Sequence, residues 1–263
     1  MSICAFGYQN SVLTGLLSAG SAALPVVNLA TQLGSSATAW QTASGVVTSA
    51  AGAWVRGNAT LYNTAFGAFS IHRTNMTGSS TFRARVWSDQ YSTLVWDSGT
   101  LATGMLSGYG QALILPPAGT FGQYWQLDFD DPGSPDGFIN IPLMYVGPLF
   151  SPTVGMSANS QNQTVLGNVQ NTTKYGQVYV SSYWQARQAT PALGYLKDAE
   201  MSAMFALDAV CRTGANILFI PDTSSAGYAT RDAIFGLCTS GAYTYSFAHR
   251  DARAWAGQIT ERI

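Results

Sequence analysis

Hydrophobic and polar residues alternate with period two along much of the first half of the chain. The clearest run is TFRARVW at 81–87, where Phe82, Ala84 and Val86 fall on one side and Arg83, Arg85 and Trp87 on the other. Such alternation predicts a strand with one buried face. AWVRG, FGAFSIHR, TLVWDSG, QALILPP, QYWQLDFDD and FINIPLMYVG read as further strands, separated by Gly, Ser, Asn, Asp and Pro turns. That spacing is the all-β pattern. Pro116, Pro117, Pro132 and Pro135 fall between the runs, where proline belongs, while Pro142 interrupts the last and marks an edge strand or a bulge. The first 50 or so residues are rich in small side chains and carry few periodic signals.

After Gly147 the pattern fades. The stretch GPLFSPTVGMSANSQNQTVLGNVQNTTKYG is polar and uncharged until Lys174, and predicts a boundary between domains at 1–150 and 151–263, with a weak strand around Thr164 to Val169. The strand QVYVSSYWQAR then puts Val178, Val180 and Trp184 on one face. A helix is predicted from Asp198, as N-cap, to Arg212, with Gly214 as its stop. Met201, Met204 and Phe205 would face the core, and Ala199, Ala203, Ala206, Leu207 and Val210 widen the stripe. ANILFIPD reads as a buried strand, and AYTYSFAH and ARAWAGQITERI as two alternating ones. The class is therefore mainly β: a β-sandwich first, then a sheet with one packed helix.

Composition narrows the function. At 263 residues, 47% apolar and a net charge of −1, the chain is globular in character. Its two lysines, Lys174 and Lys197, make no polybasic patch, which argues against nucleic acid or anionic lipid as partners. No apolar run approaches the ~20 residues of a membrane helix, and the N-terminus lacks the basic start of a signal peptide. The first charged residue is Arg56, and none lies between Asp136 and Lys174. A surface so poor in charge suits a protein packed in an assembly. Cys4, Cys211 and Cys238 are too scattered for a disulfide framework or a zinc site, and Cys211 and Cys238 are expected in the core.

Catalytic groups are scarce. There is no G-x-S-x-G elbow, phosphate loop or dinucleotide fingerprint. His72 alternates onto the polar face of FSIHR and is expected at the surface, and His249 in a solvated turn. Asp128, Asp130, Asp131 and Asp136 form either a calcium site or a strand ending in a turn; their spacing matches no calcium loop. The expectation is a non-enzyme with no catalytic residue, metal or cofactor. Sugar sites stack aromatic rings on the sugar and clamp its hydroxyls with polar side chains. Tyr62, Asn75, Asp89, Tyr91 and Tyr109 are the loop residues of that kind. Arg83 and Arg85 emerge ~6–7 Å apart on one strand face. They would form a cross-strand ladder with Asp128 and Asp130 if those strands are neighbours, or else a subunit contact or ligand site.

The order of motifs also carries a likeness. Asn28 precedes Trp40 in AWQT, followed by AWVRG, AFSIHRTNMTGSSTFRARVWSD, LVWDSGTL, QYWQLDFDD and INIPLMYVG. This resembles the galactose-binding-like, discoidin-type jelly roll, although Gln123 stands where many members carry an arginine ahead of the aromatic pair Tyr124 and Trp125. With KDAEMSAMFALDAVCRTG and NILFIPD after it, the layout is similar to tail-tip structural proteins of tailed bacteriophages, whose ring-forming domain resembles the tail tube. The resemblance implies a virion component, a distal tail or baseplate-hub protein assembled in the bacterial cytoplasm. Its partners would be further copies in a ring, tail-tube and hub proteins, and host-surface glycans met by the jelly roll. The alternative is a carbohydrate-binding module or lectin outside any virion.

Overall fold

The computed structural model describes residues 4–59, 62–105, 110–172, 174–239, 243–245 and 253–263. The early strands are β1 (Ala5–Gly7), β2 (Leu17–Ala19), β3 (Trp40–Gln41), β4 (Trp54–Asn58), β5 (Thr64–Ala65) and β6 (Ala68–His72). Next come β7 (Thr81–Trp87), β8 (Leu94–Asp97), β9 (Leu101–Ala102), β10 (Ala112–Ile114) and β11 (Phe121–Gly122). They are followed by β12 (Tyr124–Asp130), β13 (Asn140–Ile141), β14 (Leu143–Gly147), β15 (Gln161–Thr172) and β16 (Val178–Thr190). The last are β17 (Ala192–Leu196), β18 (Asn216–Ile220), β19 (Ile234–Thr239), β20 (Tyr243–Tyr245), β21 (Arg253–Ala256) and β22 (Gln258–Glu261). Three α-helices are described: α1 (Ser11–Thr14), α2 (Met201–Arg212) and α3 (Ala226–Asp232). The chain is mainly β, as its alternation predicts. It divides into two compact units that interleave in sequence: Met1–Pro152 with Ile217–Ala233, and Thr153–Asn216 with Ile234–Ile263.

The first unit is a sandwich. One sheet runs β2-β4-β12-β7-β8, and the facing layer is built on β10-β6-β14. Val55 of β4, Trp125, Leu127 and Phe129 of β12, and Phe82, Ala84 and Val86 of β7 all point inward. They meet Phe69, Ile71, Ala112, Ile114, Met144 and Val146 from the facing strands in one core cluster. Each such side chain is worth about 1.5–3 kcal/mol when fully buried, so the period-two pattern is the force that sets which face turns in. Pro142 separates β13, which pairs with β3, from β14, which pairs with β6. The interruption in FINIPLMYVG is thus a switch between strand pairs.

The second face of β10-β6-β14 is covered too. Gln111 donates from Nε2 to the carbonyls of Thr230 and Arg231 (3.1 Å to the latter) on α3. β18 returns to pair antiparallel with β1, Phe6 opposite Phe219. His72 is therefore buried, not at the surface as its alternation predicts, because the polar face of its strand lies beneath further layers.

In the second unit β19, β22, β16 and β15 lie side by side in that order, and β17-β21-β20 form a smaller sheet. Helix α2 packs against β19. Its buried positions are Met201, Met204, Leu207, Asp208 and Cys211, a stripe at helical spacing. Phe205 departs from the expected core: it is 49% exposed, lying about 100° around the helix from Met204 at 3.6 residues per turn. Asp198 is not the cap either. It starts a short 3₁₀ turn and pairs with Arg253 at 2.7 Å, while Glu200 accepts from the Lys197 N–H at 2.9 Å. Gly214, at φ +72°, ends the helix as predicted. Cys4, Cys211 and Cys238 are buried and form no disulfide.

Candidate functional site

Strand register assembles one chemically dense surface in the first unit, the outer face of the five-stranded sheet. Gln126 in β12 stands between Arg56 of β4 and Arg85 of β7; Tyr124 stands between Asn58 and Trp87; Asp128 stands between Trp54 and Arg83. Three arginines and three aromatic residues thus share a face although they come from segments far apart in sequence.

Two of the arginines are consumed locally. Arg85 donates to Asp128 at 2.5 Å, and Gln126 donates to the other oxygen of the same carboxylate at 2.6 Å. Asp128 is only 5% exposed, and the Arg85 Nε is buried with no hydrogen-bond partner. Arg83 lies opposite Asp128 in register but reaches the other way, to Asp97 of β8, through Nε at 2.8 Å and through Nη2. That fork holds the Asp97 carboxyl below its usual range, chiefly through the Arg83 hydrogen bond, and raises the Arg83 guanidinium. Of the ladder expected with Asp128 and Asp130, the Arg85–Asp128 rung forms. Asp130 instead accepts from the Ser49 N–H at 2.8 Å and from its hydroxyl.

Arg56 is different. Its guanidinium carbon lies 4.9 Å from the Trp54 ring centre and 4.7 Å from that of Tyr91, and its Nε donates to Ser18 Oγ at 3.0 Å. Among the described residues no carboxylate pairs with it. Its Nη groups remain available as donors in a fork geometry suited to paired oxygens.

Tyr91 reaches this face from the loop after β7. Its ring meets Trp87 at 5.3 Å and Tyr124 at 5.2 Å, both edge-on, the favoured aromatic geometry. Its hydroxyl donates to the Gly57 carbonyl at 3.3 Å, and burial pushes its phenol up from the usual value. Gly57 is glycine for a steric reason: a Cβ there would stand 2.7 Å from the Trp125 ring. The backbone of Tyr91 is left-handed, φ +63°, a conformation that costs an L-residue about 1–2 kcal/mol. Asp89 braces the loop. Its carboxylate accepts from the N–H groups of Ser92 (3.1 Å) and Thr93 (2.7 Å) and from the Thr93 hydroxyl (2.8 Å). These bonds, with Thr93 contributing most, hold its pKa at about 2.

The loop candidates read from the sequence do not converge. Asp89 and Tyr91 lie together, Asp89 as a brace and Tyr91 against the arginine. Tyr62 is 75% exposed on the turn leaving β4, at the same end of the sheet by strand direction. Asn75 lies at the opposite end, donating to Asp136 (2.8 Å) and to the Phe138 carbonyl (2.9 Å) and accepting from the Asn140 N–H (2.7 Å). Tyr109 and His249 lie outside the described residues. Asp131 is committed to Thr77, accepting from its N–H and hydroxyl at 2.8 and 2.6 Å. Trp54 and Arg56, which complete this face, are not among the residues singled out by the sequence, and Trp87 and Tyr124 are strand positions outside the loop candidates. The available signal was that AWVRG and QYWQLDFDD alternate in the same phase as TFRARVW.

A second polar constellation is sealed inside. His72 Nε2 lies 3.0 Å from Ser70 Oγ, and its Nδ1 lies 3.3 Å from Gln111 Oε1. Ser70 is fully buried, so no substrate reaches the hydroxyl in this arrangement, and the trio ties α3 to the sheet.

No protein-family model and no curated protein matches the chain. Among solved structures it is similar to chitosan-binding module 1 of a chitosanase/glucanase from Paenibacillus sp. IK-5, with 18% identity over 53% of this chain and 98% of that one, TM-score 0.37. It is also similar to a fucolectin from striped bass (Morone saxatilis) serum, with 10% identity over 96% of this chain and 92% of that one, TM-score 0.41.

Proposed function

We propose that this chain is a non-enzymatic carbohydrate-binding module whose contact surface is the outer face of the five-stranded sheet. The observation that carries the reading is Arg56, held between the Trp54 and Tyr91 rings with no carboxylate partner among the described residues. A sugar ring offers an apolar C–H face to an aromatic side chain and oxygens to a donor fork. Trp54, Tyr91 and Tyr124 supply the first complement and Arg56 the second, with Asn58 and Gln126 as flanking amides. Because the other two arginines are already paired, Arg56 is the donor left for a ligand. The test is a glycan array followed by titration calorimetry on the full chain. Binding that falls at least tenfold in Trp54→Ala and Arg56→Ala supports the reading, and an array blank for both microbial and animal glycans sinks it.

A place in a virion tail tip, the expectation drawn from the order of motifs, is a second proposal. The observation favouring it is a long ribbon in the second unit, formed by β15 and β16, whose strands carry one charged residue, Arg187, and which suits assembly. It predicts that antibody to this chain labels the tail tips of phage particles.

A further inference from the structure

Arg56 stands in an uncharged neighbourhood. Register places Ser18 of β2 beside it on one side and Gln126 of β12 on the other. Trp54 and Asn58 flank it along β4 on the same face, and the Tyr91 ring meets it from the loop. None of these five side chains carries a charge. The carboxylates of the first sheet lie elsewhere and are occupied. Asp128 is held by Arg85 and Gln126, Asp97 by Arg83, and Asp130 by Ser49. Asp89 is spent on the N–H groups of its own loop.

The guanidinium is also fixed in place, by the two rings and by the 3.0 Å bond from Nε to Ser18. Aromatic faces replace water over such a cation without removing its charge. What stays open is the edge bearing Nη1 and Nη2, two donors at the spacing of the two oxygens of a carboxylate. Asn58 adds a further donor. Its Oδ1 is spent on the Leu16 N–H at 2.7 Å, which leaves Nδ2 two positions along the strand. Gln126, whose Nε2 is spent on Asp128, adds one neutral acceptor oxygen. A sugar hydroxyl both donates and accepts, whereas a carboxylate only accepts. The free groups around Arg56 are weighted towards donors and carry one uncompensated positive charge.

We propose that the sugar this face takes is an acidic one, a uronic acid residue whose carboxylate pairs with the Nη1–Nη2 edge of Arg56 while the apolar side of its ring lies against the aromatic side chains. The inference rests on the carbohydrate reading and adds to it the charge of the ligand. Hydroxyls alone would leave the Arg56 charge unanswered on a face where each of the other two arginines has its own carboxylate. A carboxylate completes the pattern, and the planar fork of an arginine is the donor suited to it.

The experiment is titration calorimetry on the full chain with short oligomers of galacturonate, glucuronate and mannuronate, each compared with its own methyl ester. The ester keeps the ring and its hydroxyls and removes the charge. At least one acid should bind tenfold or more tightly than its ester, and the preference should shrink as salt rises from about 20 to 500 mM. Arg56→Gln should reduce that preference to less than about twofold, and Arg56→Lys, which keeps the charge and loses the fork, should restore only part of it. Unchanged urea midpoints confirm that both variants fold. Neutral glycans bound in a Trp54-dependent way, with acids and esters alike in affinity, overturn this inference and leave the carbohydrate reading standing. A chain that binds neither neutral nor acidic glycans overturns both. An acid preference that survives Arg56→Gln places the carboxylate elsewhere and overturns the assignment, as does tighter binding of a sulfated neutral oligosaccharide than of any uronate.

Discussion

Removing the Tyr91 ring tests the candidate face at the point where packing and recognition meet. The ring makes edge-on contacts with Trp87 at 5.3 Å and Tyr124 at 5.2 Å and lies under the Arg56 guanidinium at 4.7 Å. Aromatic pairs of this geometry contribute about 0.5–1.5 kcal/mol each beyond burial, and a partly exposed cation–ring contact about 0.5–1 kcal/mol. Tyr91→Ala should therefore destabilise the first unit by about 2–3 kcal/mol. Tyr91→Phe loses only the 3.3 Å bond to Gly57 and should stay within about 1 kcal/mol of the wild type. Because φ is +63°, Tyr91→Gly relieves backbone strain and should match or exceed Tyr91→Ala in stability, by up to about 1 kcal/mol, against the usual order of the two residues. Urea unfolding followed by tryptophan fluorescence reads all three. Tyr91→Ala should also lower glycan affinity at least tenfold, since the ring sets the plane of Arg56. Wild-type stability in Tyr91→Ala, or a Tyr91→Gly variant clearly weaker than it, refutes the reasoning.

Three other predictions use different parts of the molecule. Asp128→Ala strands Arg85 in a mostly buried position and should cost about 3 kcal/mol in urea unfolding, whereas Asp97→Ala, which breaks the more exposed Arg83 pair, should cost less than about 1 kcal/mol. Met204→Ala should cost about 2–5 kcal/mol, while Phe205→Ala, one residue on but half exposed, should shift the melting temperature little. Asp89 has a folded pKa of about 2 against an ordinary 3.8. Its bracing of the Tyr91 loop is complete above pH 3.8 and is lost as the pH falls toward 2, so the Trp87 fluorescence environment should hold to pH 4 and change below it, and Asp89→Asn should remove that acid transition.

Strands with one dry and one wet face were legible because burial itself writes the alternation. TFRARVW was predicted as 81–87, the range of β7, and Gly214 marked the end of α2. Where burial departs from that scheme, the sequence carries no matching sign. His72 alternates like a surface residue, yet it is buried and meets Gln111, which bonds the carbonyls of α3, a seven-residue helix packed on the neighbouring β10 and too short for a periodic signal. NILFI reads as a buried strand, but nothing in it names β1 as its partner. Phe205 went wrong by one helical step: Met201, Met204, Leu207 and Cys211 already complete the stripe without it. QVYVSSYWQAR reads as a strand and lies within β16 and the residue before it, but its partner β15 shows only a weak signal over Thr164–Val169 while running over twelve residues, because a strand exposed on both faces has no reason to alternate.

The candidate face shows why pairwise chemistry is harder to read than strand position. Alternation placed Arg83 and Arg85 outward and set them on the same side as the aspartates of β12, but it could not assign partners. Register puts Asp128 directly opposite Arg83, and a reading from register alone would pair those two. The structure moves the pairing by one position: Asp97 on β8 takes Arg83 with two donors, and Asp128, deeper in the sheet, turns to Arg85 and Gln126. A bidentate fork to a carboxylate is the stronger contact, so β8 wins Arg83 and frees Asp128. That exchange consumes both carboxylates nearest the middle of the face. Arg56, on the far side of β12, is then left to the rings of Trp54 and Tyr91. The open donor that carries the functional reading is thus a consequence of where Asp97 sits, four strands away in the sheet order from Ser18, the one side chain that holds the Arg56 Nε.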